Sequence, residues 1–235
     1  MLFDLRGRGR RRTVQVIYAS LAILMGGGLV LFGIGGATSG GLFDALGGGG
    51  GGGNVADVYQ KRIEQYQARV AAAPSDAAAW AALTRAQAQE AAATGYQQGT
   101  GTYSAAGIRQ LQAASRSWER YLAVAPAKPD ADLANLMTTA YRDGLNDPKK
   151  AARALEIVIA QKGATSALYA QLSILAYLAG DSRQSTLAEQ RAADLAPKDR
   201  KKLVKAQLAA QRASIDQQRA QLQQQQGAPS QGLGG

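Results

Sequence analysis

Residues 166–199 read SALYAQLSILAYLAGDSRQSTLAEQRAADLAPKD, and this stretch decides the fold. In its first half the apolar side chains are spaced by three or four residues, as one face of a helix requires. Gly180 and Asp181 end that helix, since glycine accepts a positive φ and aspartate can cap the next helix. The second half repeats the spacing until Pro197 stops it. The stretch therefore predicts two short helices that pack face to face and need neighbours to bury their other sides.

The stretch resembles the tetratricopeptide repeat (TPR), a pair of antiparallel helices with a period of 34 residues. The positions that match the family's large, small and closing residues are Tyr169, Leu172, Ser173, Ala176, Gly180, Ser185, Ala192 and Pro197. Glu189 stands where the family usually has an aromatic residue, which predicts weaker packing against the next helix. The resemblance implies an all-α superhelix of about three helix pairs with a C-terminal capping helix. It also implies partner binding in a concave groove.

The composition limits the chemistry that the chain could perform. Its 235 residues include no cysteine and no histidine, and the formal charge is +10 at pH 7. Without cysteine there is neither a disulfide framework nor a thiol nucleophile. Without histidine the chain lacks the side chain best suited to proton transfer near neutrality, which is also the commonest metal ligand. We therefore expect no enzymatic activity, no cofactor and no metal site.

The N-terminus has the charge pattern of a membrane anchor. Residues 1–12 contain five arginines and one acidic residue, and residues 13–36 contain no charge. As a helix the uncharged segment would be about 36 Å long, enough to cross a hydrocarbon core of about 30 Å. No Lys or Arg follows before Lys61. The positive-inside bias therefore predicts a single-pass protein of the cell membrane, with a cytoplasmic N-terminus and an extracytoplasmic C-terminal domain.

Two further possibilities concern the same segment. It could be cleaved as a secretory signal, with the nearest cleavage site at residues 37–39, but its length favours an uncleaved signal-anchor. It could also pair with a second copy, because Ala22 and Gly26 are small residues four positions apart. Glycine is common in membrane helices, so a single span in contact with the lipid bilayer is the simpler interpretation.

Glycine-rich segments border the helical region. Residues 37–53 include seven consecutive glycines and predict a flexible linker with a reach of about 20–25 Å. The glycine run lacks the lysine and the flanking strand of a phosphate-binding loop, so we reject a nucleotide site there. Residues 227–235 predict a disordered tail.

Residues 54–226 carry the helical domain. Its first helix is predicted at residues 55–73, and Asp76 is predicted to cap the next helix. That second helix and one at residues 108–125 form the first pair. A further pair is predicted at residues 130–163, ahead of the repeat quoted above.

Two connections in this array depart from the repeat. The first pair is 18 residues too long, and the glycines and polar residues of 94–107 predict an insertion loop. This loop is either a surface insertion or a functional lid that bears Tyr96 and Tyr103. In the pair at residues 130–163, placing Tyr141 at the family's bulky position leaves one extra residue in the turn. The alignment of this pair to the repeat is therefore undetermined by one residue.

Residues 198–226 predict one long capping helix whose beginning is the most basic part of the helical domain. Its cations suit a solvated surface, acidic lipid headgroups or an acidic partner. The aromatic residues that single-stranded nucleic acid would stack on are missing, so we expect no nucleic acid partner.

The resemblance implies that first-helix residues line the groove and contact a protein or peptide. The residues in those positions are Arg85, Gln89, Asp132, Asn135, Thr139, Arg142, Ile174, Tyr177 and Leu178. They make a polar, partly cationic floor with one apolar end, which suits a peptide with an acidic and a hydrophobic portion.

The functional prediction is a membrane-anchored scaffold that binds a protein or peptide and assists the assembly or folding of envelope proteins. One alternative is a secreted repeat protein, released by cleavage of the anchor. Another is an envelope enzyme that uses carboxylates such as Asp143 and Asp147, although no pair of acids has convincing catalytic spacing.

Overall fold

The computed structural model describes residues 55–125 and 127–227, which belong to the unit Gly53–Gly235. These residues form eight α-helices and one small β-hairpin. The helices are α1 (Val55–Ala72), α2 (Ala77–Glu90), α3 (Ala105–Val124), α4 (Ala131–Thr139), α5 (Pro148–Lys162), α6 (Ser166–Leu178), α7 (Ser182–Leu195) and α8 (Lys201–Gly227). The strands are β1 (Tyr96–Gln97) and β2 (Thr102–Tyr103), which pair in antiparallel fashion.

The anchor predicted at residues 13–36 lies outside the described residues. The basic segment 1–12, the linker 37–53 and the tail beyond residue 227 lie outside them as well. Over residues 55–125 and 127–227, no helix combines the length and the apolar character that a bilayer crossing requires.

The helices pack in chain order as a series of pairs. The tightest partners are α2 with α3, α4 with α5, and α6 with α7, while α1 packs on α2 and α8 packs on both α6 and α7. Short connections favour this arrangement within the second and third pairs, because a helix that follows a turn of a few residues packs back on its predecessor. The described part of the chain is therefore a mainly helical, sequentially stacked domain.

Capping residues fix where the helices begin. Each of six N-cap side chains accepts a hydrogen bond from a backbone amide of its helix, which satisfies one of the free donors at the helix start. These residues are Asp76, Ser104, Asp130, Asp147, Thr165 and Asp181. Asp76 caps α2 as predicted. At the turn after α6, Gly180 adopts φ +79°, the left-handed conformation that glycine tolerates.

The three helix pairs share one pattern of burial. A hydroxyl residue is buried at the same place in each first helix, and a small residue is buried in each second helix. The buried hydroxyl residues are Thr84, Thr138 and Ser173, and the small residues are Ala114, Ala151 and Ser185. In the last pair, the Ser173 Oγ donates to the Ser185 carbonyl at 2.9 Å and the Ser185 Oγ donates to the Ser173 carbonyl at 2.8 Å. The last pair is thus built around a close contact between two small residues, which lets its helices approach.

The segment at residues 94–107, predicted to be a loop, has regular structure. Beyond α2 the chain makes a π-helical turn at Ala91–Gly95, and the β-hairpin follows. Gly95 and Gly107 pack backbone to backbone, and the Ser104 amide donates to the Gly95 carbonyl at 2.8 Å. Because neither glycine has a side chain, the two ends of the insertion meet and the hairpin closes between them.

A second π-helical turn, Ala140–Gly144, ends the first helix of the middle pair. The Leu145 amide donates to the Ala140 carbonyl at 3.0 Å, which closes a wider turn than an α-helix makes. This wider turn contains the one extra residue because of which the sequence did not fix the repeat register of residues 130–163. Tyr141 is fully buried there, and its hydroxyl is 2.9 Å from the Ser115 Oγ.

Candidate partner-binding groove

In the described part of the chain, a groove runs between α1 and α2 and reaches the start of α4. Its volume is about 560 Å³. Alanines make the floor, because α2 turns a face of small side chains towards it, and larger residues make the walls. The lining residues are Arg62, Tyr66, Ala77, Ala78, Ala81, Ala82, Arg85, Ala86, Gln89, Tyr121 and Asp130.

The walls of the groove are charged and partly fixed in place. The Arg85 Nη2 donates to the Asp130 Oδ2 at 2.8 Å. Asp130 is itself held, because its backbone amide donates to the Tyr121 hydroxyl at 2.7 Å. Arg62 has no ion pair with any residue in the described ranges. The groove therefore offers one cation tied to a carboxylate and one that is available to a ligand.

Two of the predicted groove residues, Arg85 and Gln89, line this groove. Asp132 lies in the first turn of α4, where a hydrogen bond from the Lys162 ammonium, together with the more distant charge of Arg85, lowers its pKa. Asn135 and Thr139 follow on the same exposed face of α4. The structure thus brings α2 and the start of α4 together at the Arg85 end of the predicted surface.

Arg142 lies at the far end of that face, in the second π-helical turn. Its guanidinium donates two hydrogen bonds to the neighbouring Asp143 carboxylate, at 2.6 and 2.7 Å. This hydrogen bonding raises the pKa of Arg142. The prediction placed Arg142 in the groove as a partner-binding cation, whereas its side chain is paired with the acid beside it.

The apolar end of the predicted surface is in contact with α8. Ile174 is half-buried, the Tyr177 hydroxyl donates to the Asp216 carboxylate at 2.6–2.7 Å, and the Arg219 Nη2 donates to the Leu178 carbonyl at 3.1 Å. The guanidinium of Arg219 also lies 5.8 Å from the centre of the Tyr177 ring. Tyr177 and Leu178 therefore contact the chain's own last helix.

The acidic residue at the aromatic position contacts the next helix directly. Glu189 was expected to weaken the packing of α7 against its successor, but its carboxylate pairs with Arg212 of α8 at 2.7 Å. Arg212 also donates to the Ser173 Oγ at 2.7 Å. An ion pair thus replaces the apolar contact that an aromatic side chain would make at this position.

Several lining residues were not among the predicted ones. Arg62 and Tyr66 come from α1, four residues apart on one helical face, whereas Tyr121 lies in the last turn of α3 and Asp130 is the N-cap of α4. The spacing in α1 was visible in the sequence. Its meaning depended on α1 packing beside α2, which the repeat pattern alone does not specify.

The acids considered for catalysis have structural roles. Asp143 pairs with Arg142, and the Asp147 side chain caps α5 by accepting from the Lys150 amide at 2.9 Å. Across residues 55–125 and 127–227, no group of three or more acidic residues is placed to hold a metal ion.

The class that this fold and groove define is a stacked helical domain with a partly cationic groove. No protein-family model matches the chain, and no curated protein matches it.

Proposed function

We propose that this protein is a membrane-anchored, TPR-like scaffold that binds a protein or peptide in the groove between α1, α2 and α4. The anchor is residues 13–36, and the helical domain lies on the extracytoplasmic side, where it assists the assembly or folding of envelope proteins. The repeated burial pattern of the three helix pairs supports the TPR-like architecture, and the arginine-rich start followed by an uncharged segment supports the anchor.

The groove is the observation that carries the proposal. Its alanine floor allows a peptide backbone or a helix to approach closely, and Tyr66 and Tyr121 add apolar surface with a polar edge. Arg62 supplies a cation without a carboxylate partner among the described residues, and Arg85 supplies a second cation at the opposite wall. A peptide segment with acidic and apolar side chains complements such a surface.

Charge reversal at Arg85 tests this proposal. The tagged full chain is isolated from its native membranes after chemical crosslinking, as the wild type, as Arg85→Glu and as Arg183→Glu. Arg183 is an exposed residue of α7 and lies outside the groove, so the control makes the same change of charge elsewhere. The Arg85 variant places a carboxylate beside Asp130, where it repels an acidic ligand.

We expect the wild type and the Arg183 variant to recover the same amount of crosslinked partner. The Arg85 variant should recover less of it, by at least about tenfold. Circular dichroism of each purified variant shows whether the helices are intact. Equal recovery of the partner by a folded Arg85 variant would remove the groove from the proposed function.

A further inference from the structure

Positive charge is concentrated in the connection between α7 and α8 and in the first two turns of α8. Five cations stand within eight residues of each other, and Asp199 is the one acid among them. One of the five, Lys201, has its Nζ 3.6 Å from the Asp194 Oδ1. The remaining four are exposed and have no ion pair with any residue the structure describes. They are Lys198, Arg200, Lys202 and Lys205.

Two leucines on either side of the same connection are exposed. Leu195 at the end of α7 is 44% exposed, and Leu203 in the first turn of α8 is 54% exposed. Beside Leu203 is a hollow of about 410 Å³ between α6, the connection and α8, with alanines and Pro197 in its walls. We call Leu195, Lys198, Arg200, Lys202 and Leu203 together the α7–α8 tip.

The position of these cations is unfavourable for an isolated helix. The amide groups of the first turn give a helix N-terminus a partial positive charge, and acidic residues are the ones that stabilise it. The first turn of α8 has no acidic residue and begins with Lys201 and Lys202. A negatively charged external surface would reduce the repulsion between these lysines and the partial positive charge of the helix N-terminus.

We propose that the α7–α8 tip is a contact surface for anionic lipid headgroups, with Leu195 and Leu203 entering the interface and the cations pairing with phosphates. An acidic protein would pair with the cations, but it would not by itself account for exposed leucines among them. Basic residues interspersed with apolar ones are what a membrane interface attracts. The inference rests on the proposed anchor, because the linker of residues 37–53, with its reach of about 20–25 Å, would keep the domain beside the bilayer.

The absence of cysteine makes this contact measurable at one position at a time. Leu203→Cys is labelled with a polarity-sensitive fluorophore in the full chain, and Leu187→Cys is the matched control. Leu187 lies on α7 and is 53% exposed, so the two labels start from the same accessibility. Each labelled chain is reconstituted into vesicles of phosphatidylcholine alone or mixed with phosphatidylglycerol.

We expect the label at position 203 to shift to shorter wavelength only in the vesicles that contain phosphatidylglycerol. The shift should diminish when salt is raised, because exposed charges are screened. Adding Lys198→Glu and Lys202→Glu should lower the affinity of the tip for these vesicles by at least about tenfold. The label at position 187 should not respond.

Three results would overturn the inference: the same emission at position 203 in both kinds of vesicle, an equal shift at position 187, or a shift that appears in detergent and grows with protein concentration. The last result would assign the tip to a second copy of the chain. The anchor is tested by a separate measurement. If alkaline carbonate extracts the chain from the vesicles, the predicted membrane span is refuted. The unanchored chain could then be added to preformed vesicles, and its label at position 203 would report on the tip alone.

Discussion

Glu189 of α7 and Arg212 of α8 form an ion pair in which the Oε2 and Nη2 atoms are 2.7 Å apart and each side chain is 20% exposed. Arg212 also donates to the Ser173 Oγ, and its guanidinium lies 5.6 Å from the centre of the Tyr177 ring. Leu208 is a buried apolar residue of the same helix. Polar interactions thus contribute to the attachment of the last helix, and Glu189 and Arg212 form the ion pair among them.

Removal of the Glu189 carboxylate should destabilise the helical domain. Glu189→Ala leaves a partly buried guanidinium without its anion, and we expect the free energy of unfolding to fall by about 1–3 kcal/mol. Arg212→Ala should cost a similar amount. Because the two changes remove one interaction, the double variant should cost less than the sum of the two, with a coupling energy of about 1–2 kcal/mol. Urea denaturation of the full chain, followed by circular dichroism, measures all four species.

The exposed pair of Lys150 and Glu119 is a control for this cycle. Their side chains are 42% and 55% exposed, although the Nζ to Oε1 distance is also 2.7 Å. We expect Glu119→Ala to change the free energy of unfolding by no more than about 0.5 kcal/mol, because solvent screens an exposed pair. If the changes in the free energy of unfolding for Glu189→Ala and Arg212→Ala simply add in the double variant, their contact does not stabilise the domain.

The hairpin depends on the close approach of two glycines. A Cβ at position 95 would overlap the Gly107 Cα, and backbone atoms cannot move aside as a flexible side chain can. We expect Gly95→Ala to lower the free energy of unfolding by about 1–3 kcal/mol. Gly99→Ala is the matched control, since a Cβ there has no neighbour within 4 Å. An equal urea midpoint for the two variants would argue against the closed hairpin.

Acid should weaken the domain through two aspartates. The hydrogen bond from the Ala79 amide, with a smaller contribution from Arg69, lowers the pKa of Asp76, and the hydrogen bond from Lys162 lowers the pKa of Asp132. Their stabilising effect is therefore complete above the ordinary value of 3.8 and is lost as pH falls through the lower values of the folded state.

Unfolding midpoints measured between about pH 6 and about pH 2 test this expectation. The double variant Asp76→Asn and Asp132→Asn should start from a lower midpoint and decline less below about pH 4, because its amides do not titrate. A decline as steep as that of the wild type would assign the acid sensitivity to other carboxylates.

Alkali should loosen α8 through Tyr177. The hydrogen bond to Asp216 raises the pKa of the Tyr177 hydroxyl, so the stability it contributes is complete below the ordinary value of 10.0 and is lost as pH rises through the higher value of the folded state. Tyr177→Phe removes this hydrogen bond at every pH. We expect the amides of α8 near Asp216 to exchange hydrogen faster in that variant at neutral pH, while the amides of α4 are unchanged. Identical exchange in α8 would show that the hydroxyl contributes nothing to its attachment.

Much of the helical arrangement could be predicted because it depends on local signals. The period of the apolar residues, the caps at Asp76 and Asp181 and the left-handed Gly180 all act within one or two turns of chain. The hairpin could not be predicted in the same way. Its strands have two residues each, which is too short for an alternating pattern, and it closes through a contact between glycines twelve residues apart.

The groove was predicted only in part, since its walls come from neighbouring helices. Arg85 and Gln89 followed from their place in the first pair, whereas Arg62 and Asp130 join them only through the packing of α1 and the start of α4. Tyr177 was placed correctly on its helix, but α8 continues the stack and lies against it. A repeat pattern specifies contacts within one pair better than it specifies what covers the last pair.

Photocrosslinking in native membranes tests whether partners bind in the groove. A photoreactive amino acid replaces Gln89, which lines the groove, or Gln190, an exposed residue of α7 outside it. We predict that the chain labelled at position 89 forms a discrete crosslinked product with another protein and that Arg62→Glu abolishes it. Crosslinking at position 190 alone, or a product at position 89 that Arg62→Glu leaves unchanged, would contradict the groove as the site of partner binding.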